Sequence, residues 1–150
     1  MVADLFLAVI HHLLVFMLFA VIAAELVLVR PGLTGDALSR IARLDRAYGG
    51  LALTIIIVGI ARVIWGAKGW EYYAGNPYFW AKMASFAVVG LLSIPPTIKI
   101  IAWRKASTAD GAYRVPDAEI ATMRRYIHFE AGIFMLIVVF AAVMARGMGY

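Results

Sequence analysis

The sequence predicts an all-α integral membrane protein: a bundle of four transmembrane helices, the third of them kinked. Three observations carry this. The composition is 64% hydrophobic and only 15% charged, with a mean hydropathy of +0.87; a soluble domain is nearer half apolar and a quarter charged. Four segments approach the roughly 20 apolar residues that a spanning helix needs. None alternates with the period of two that marks a strand, and lipid leaves helices as the consistent way to satisfy the backbone. No linker, repeat or low-complexity tract divides residues 1–150, which read as a single transmembrane domain.

The first span covers residues 5–29 and is closed by Arg30-Pro31-Gly32. Its start, MVADLF, carries Asp4 and no Lys or Arg, so it reads as a retained helix rather than a cleaved signal. The second span covers residues 48–65 and ends at Gly66. Before it, Thr34 or Asp36 can cap a helix, and Ile41 and Leu44 share a face among Arg40, Arg43 and Arg46. That segment is expected to extend the second helix into the membrane interface. The third span begins after Asn76-Pro77 and reaches about Trp103. Within it, Pro95 and Pro96 free the carbonyls of Leu91 and Leu92, which predicts a kink, with Ser93 and Thr97 re-satisfying backbone groups. Such a kink either serves packing or opens a pocket or lateral gate for an apolar ligand. Residues 106–116 are the longest polar stretch and are expected to be a mobile loop. Asp117 starts the fourth helix, whose apolar part centres on residues 133–145.

Charge placement gives an orientation. Arg30, Arg40, Arg43 and Arg46 flank the first connection; Lys99, Arg104, Lys105, Arg114, Arg124 and Arg125 flank the third. Together they are ten of the fourteen Lys and Arg. The positive-inside rule puts both connections in the cytoplasm and both termini outside. The net charge of +5 is thus a topology signal, and nucleic acid is not an expected partner; membrane lipid is. Trp65, Trp70, Tyr72, Tyr73, Tyr78 and Trp80 read as an aromatic belt at the outer face. The absence of cysteine excludes disulfides, thiolate chemistry and Cys-ligated clusters. No P-loop, dinucleotide fingerprint, HExxH or nucleophile elbow occurs.

Ionisable groups inside a membrane are functional candidates by default. They fall in two layers here. The outer one holds His11, His12, Arg62 and Lys82; the inner one holds Glu25, Lys99, His128 and Glu130. On a helical net Asp4, His11, Leu18 and Glu25 share one stripe, while His12 points about 100° away with Phe16, Phe19 and Ala23. Either histidine can face the interior, and either can be a core imidazole bonded to a carbonyl or hydroxyl. Lys82 lies about 6–8 Å below the outer face, at nearly the depth of His11, and the two meet if the first and third helices are neighbours. It either snorkels to the interface or serves a site. Neutral imidazole is a common haem ligand. His12 and His128 lie more than about 15 Å apart along the bundle, which favours one axial histidine from the first helix, His11 or His12, over a bis-histidine pair.

The motifs HHLL, AELVL, LDRAYGG, VGIARV, KGWEYY, NPYFWAK and LSIPPT, in that order, resemble the bacterial membrane family called domain of unknown function 2214. The likeness covers nearly the whole chain and implies a multi-pass protein of the bacterial inner membrane. The layout is also similar, more distantly, to the HemJ family of four-helix protoporphyrinogen oxidases, which are associated with haem b. The shared marks are HHLLVFMLFAV on the first helix, LTIIIVG on the second, Lys82 early in the third, and Phe129-Glu130 entering the fourth, where that family has Asn-Glu.

Two function classes follow. In one, the chain is an oxidoreductase-like protein that binds haem b or handles porphyrin. His11 or His12 ligates iron, Lys82 and Arg62 pair with propionates or take protons, Glu25 and Glu130 form a proton path, and a porphyrin or quinone arrives from lipid. In the other, it is a small non-enzymatic subunit, assembly factor or transporter, whose Gly49, Gly50, Gly59 and Gly90 permit close helix approach and a homodimer.

Overall fold

The computed structural model describes residues 2–66 and 68–149, and these form an all-helical bundle. The long helices are α1 (Val2–Leu28), α2 (Gly35–Trp65), α4 (Pro77–Ala109) and α5 (Asp117–Ala145), with a single short turn of helix, α3 (Gly69–Ala74), between α2 and α4. All four long helices are long and apolar enough to cross a membrane. The amphipathic segment before the second span is continuous with it, as expected. Its stripe of Ile41, Tyr48 and Ile55 is buried, while Arg40, Arg43 and Arg46 stay exposed.

Short connections make α1 and α2 antiparallel neighbours, and likewise α4 and α5. The pairs then meet through α1 with α5 and α2 with α4. α1 and α4 share no contact and stand diagonally across the bundle. The first and third spans are therefore not neighbours, so His11 and Lys82 can meet only across the interior.

Both ends of the bundle are tied. At the end carrying the two long-helix connections, Arg124 Nη1 donates to the carbonyls of Leu26 and Val29 at 2.8 and 2.7 Å. These are orphan acceptors at the C-terminus of α1, where a cation is favoured. Gly32 turns the chain with φ +86°, a conformation costly for any residue with a Cβ. Val115 N then donates to Leu33 O at 3.2 Å, and Thr34 pairs with Arg114. Residues 106–109 of the expected loop are helical instead. The turn after them is built by Asp110, whose Oδ1 accepts from Ala112 N at 2.9 Å.

At the terminal end, Asn76 is the N-cap of α4. Its Oδ1 accepts from the amides of Tyr78 and Phe79, and its Nδ2 donates to Met148 O at 3.2 Å. Pro77 at the first helical position gives up only an amide that would be unsatisfied anyway. Asn76 is fully buried, so Asn76→Ala removes a cap and strands the Met148 carbonyl; a loss of about 1–2 kcal/mol is expected in thermal unfolding followed by helical circular dichroism.

α4 runs unbroken through Pro95 and Pro96. Ser93 Oγ donates to Gly90 O at 2.8 Å, but Thr97 Oγ1 reaches across to Asp45 Oδ1 at 2.6 Å rather than back to its own helix. The aromatic belt is also divided. Trp65, Trp70 and Trp80 are exposed, whereas Tyr73 is buried against Phe79 with ring centroids 5.4 Å apart.

Candidate functional site

Polar side chains enter the bundle in two layers, held apart by an apolar one. Every long helix places a residue at each layer and one between them, spaced by three, four or seven positions, which keeps the three on one face. On α1 these positions are His11, Leu18 and Glu25; on α2, Arg62, Ile55 and Tyr48; on α4, Lys82, Val89 and Ser93; on α5, Ile137, Phe134 and Glu130. Leu18, Ile55, Val89 and Phe134 are at most 4% exposed and form the dry middle, where Phe134 stacks on Phe19 at 5.5 Å.

The layer nearer the termini surrounds a cavity of about 390 Å³ lined by His11, Gly59, Arg62, Tyr73, Phe79 and Lys82, with Phe134 and Ile137 below. The sequence left open which histidine faces inward. The structure places His11 there, against Gly59, where a Cβ would lie 3.4 Å from the imidazole Cε1. His12 is exposed on the outer surface of α1, with Nδ1 2.6 Å from Ala8 O. The Nδ1 of His11 is buried and has no hydrogen-bond partner, and the same holds for Arg62 Nε. Lys82 Nζ lies 5.3 Å from the centroid of the Phe79 ring, a cation–π contact. Lys82 and Arg62 are within electrostatic range of His11 and of each other. Among the described residues neither cation has a carboxylate partner: the ion pairs are Lys99–Glu119 and Arg114–Asp117. This cavity therefore offers two cations, one imidazole nitrogen and aromatic walls, with no anion of its own.

The second layer is acidic. Glu25 and Glu130 are 4% and 1% exposed, and Oε1 of each is buried without a partner. The Tyr48 side chain lies within electrostatic range of Glu130 and beside Ser93. One turn closer to the connections stands the Asp45–Thr97 pair. Ser93, Thr97, Asp45 and Tyr48 also line a groove of about 890 Å³ between α2 and α4, rimmed at the connection end by Arg46, Arg104 and Lys105.

Of the residues the sequence marked, His11, Arg62 and Lys82 come together. Glu130 belongs to the other layer, about 10 Å along the helix axis from Ile137, which lines the cavity. Lys99 and His128 are not inside the bundle. Lys99 is exposed and pairs with Glu119 at 3.1 Å, and His128 is exposed with Nδ1 2.6 Å from Arg124 O. Asp45, Tyr48 and the Asp45–Thr97 contact were not anticipated; the seven-residue spacing of Ile41, Tyr48 and Ile55 was the signal that could have found Tyr48. No cluster of three or more His, Asp or Glu suited to a metal ion occurs among the described residues.

The chain belongs to the DUF2214 family, described as predicted membrane proteins, whose family model matches residues 3–149. No curated protein and no solved structure matches it. The likeness to the HemJ family rests on motifs alone.

Proposed function

We propose that this protein binds haem b, or a related anionic porphyrin, in the cavity near the termini. His11 would hold the iron through its imidazole, and Arg62 and Lys82 would hold the propionates. The observation that carries this reading is the unpartnered, buried His11 nitrogen in the same apolar cavity as two cations that lack a carboxylate partner among the described residues. Imidazole is a haem ligand by preference. Half-buried cations without counter-charges carry a desolvation cost, so a ligand that brings two carboxylates relieves the cost it meets. Tyr73, Phe79 and Trp70 offer flat apolar faces, and the cavity volume lies within the range of small-ligand sites. The HemJ-like motifs support the same class and extend it to an oxidoreductase that draws porphyrin or quinone from lipid.

When bound, haem would supply one-electron redox chemistry. The chain's own contributions are orientation by His11, charge compensation by Arg62 and Lys82, and exclusion of water by the Leu18–Phe134 layer. The distribution of Lys and Arg favours an inner-membrane topology with the connections in the cytoplasm, which puts this cavity on the outer side.

Titration with free-acid haem and with its dipropionate ester tests the reading. The wild-type protein should prefer the free acid at least tenfold, about 1.4 kcal/mol. The Arg62→Gln/Lys82→Met variant should lose that preference, and His12→Ala should keep it. Equal binding of acid and ester by the wild type would remove the assignment and leave a non-enzymatic subunit, assembly factor or transporter as the better description.

A further inference from the structure

The groove between α2 and α4 is space that the bundle itself does not fill. Gly49 on α2 and Gly90 on α4 both line it, and a Cβ built on either would meet no atom within 4 Å. Glycine in a membrane helix commonly serves close helix approach. Gly59 does so, since a Cβ there would lie 3.4 Å from the His11 ring. Gly49 and Gly90 do not: they weaken their helices relative to alanine and leave a trough instead of a contact.

The trough changes character along its length. Its inner part is apolar, walled by Ala52, Ile56, Phe86 and Val89. Its connection end carries Arg46, Arg104 and Lys105. All three are exposed, and none takes part in the ion pairs found among the described residues. Asp45 is the one carboxylate among the described lining residues, and its Oδ1 already accepts from Thr97 at 2.6 Å. Thr97 is two helical turns before Arg104, so this carboxylate lies about 10 Å along the axis from Arg104. Arg46 follows Asp45 in the chain, and side chains on α2 lean toward its N-terminus, which is the connection end.

The dimensions suit a lipid chain. From Arg104 to Phe86 the helix rises about 27 Å, whereas one leaflet's share of the hydrocarbon core is about 15 Å. A second copy of the chain suits the groove less well. Two chains of the same orientation pair about a two-fold axis along the membrane normal, so each residue meets partners at its own depth. A dimer on this face would bring the two sets of three cations to one level.

We propose that the α2–α4 groove is a binding site for an anionic phospholipid. Its phosphodiester sits at Arg46, Arg104 and Lys105, and one acyl chain runs past Gly49 and Gly90 toward Phe86. Arginine grips phosphate oxygens in a bidentate fork and lysine adds a point charge; basic pockets between membrane helices suit anionic headgroups. The site needs nothing from the cavity near the termini, so it stands or falls independently of haem.

Native mass spectrometry of the detergent-purified full chain reads it, in titrations with phosphatidylglycerol and with phosphatidylcholine of the same acyl chains. One phosphatidylglycerol should bind at least tenfold more tightly than phosphatidylcholine. Arg46→Gln/Arg104→Gln/Lys105→Gln should remove that preference. Arg30→Gln/Arg43→Gln/Arg125→Gln takes the same charge from exposed positions at the same end but outside the groove, and should keep it. Gly90→Leu places a side chain in the trough and should weaken phosphatidylglycerol binding at least tenfold, with helical circular dichroism unchanged. Gly49→Leu serves if Gly90→Leu does not fold. No preference in the wild type, equal losses in the two charge variants, or wild-type binding in a folded glycine variant overturns the proposal. So does a wild-type dimer that the glycine variant converts to monomer, which would give the groove to a second copy.

Discussion

Phe134→Ala is expected to destabilise the bundle by about 3–5 kcal/mol, measured by denaturant titration of the protein in micelles with helical circular dichroism as readout. Phe134 is 2% exposed and stacks on Phe19 with centroids 5.5 Å apart. It stands between the cationic cavity and Glu130, one turn earlier on the same helix. In lipid the driving force between helices is close packing rather than release from water, so removing a whole ring leaves a cavity with lost dispersion contacts on every side. Met135 is next in the chain but 52% exposed on the outer surface, and Met135→Ala should cost less than about 0.5 kcal/mol. Equal losses in the two variants would mean that the middle of the bundle is not the packed barrier described here.

Lys82→Glu is expected to lower haem affinity at least tenfold, about 1.4 kcal/mol, in an absorption titration, with the fold retained. The substitution places a carboxylate in electrostatic range of Arg62, which has no carboxylate partner among the described residues. Arg62 then satisfies itself within the protein instead of through a ligand, and the new charge repels propionate. Lys82→Met removes attraction without adding repulsion, so its loss should be the smaller of the two. Wild-type affinity in Lys82→Glu would show that the ammonium group merely snorkels toward the interface.

The membrane class, the four helices and their order were legible because hydrophobic length and helix-closing residues are local signals. Arg30-Pro31-Gly32 and Asn76-Pro77 mark boundaries by backbone chemistry alone, and the helices start or stop close to them. Which face of α1 looks inward was not legible. His11 and His12 are adjacent in a helix apolar all round, so periodicity gives no contrast, and the inward face appears only in the packing of α1 on α2, where His11 lies against Gly59. The diagonal placement of α1 and α4 is likewise a property of packing, as is the loss of Lys99 and His128 to the surface. Hydropathy reports their depth but not their direction. Asp45 was hidden for another reason: it lies in an Arg-rich segment that reads as solvated, although its partner Thr97 is 52 residues away.

The absorption spectrum of the purified protein, oxidised and then reduced with dithionite, should be compared between wild type, His11→Ala and His12→Ala after haem loading. A Soret band that shifts on reduction, persists in His12→Ala and disappears in His11→Ala is the expected result. A spectrum with no Soret shift in the wild type, or one lost equally in both variants, would contradict a haem site built on the inward-facing histidine.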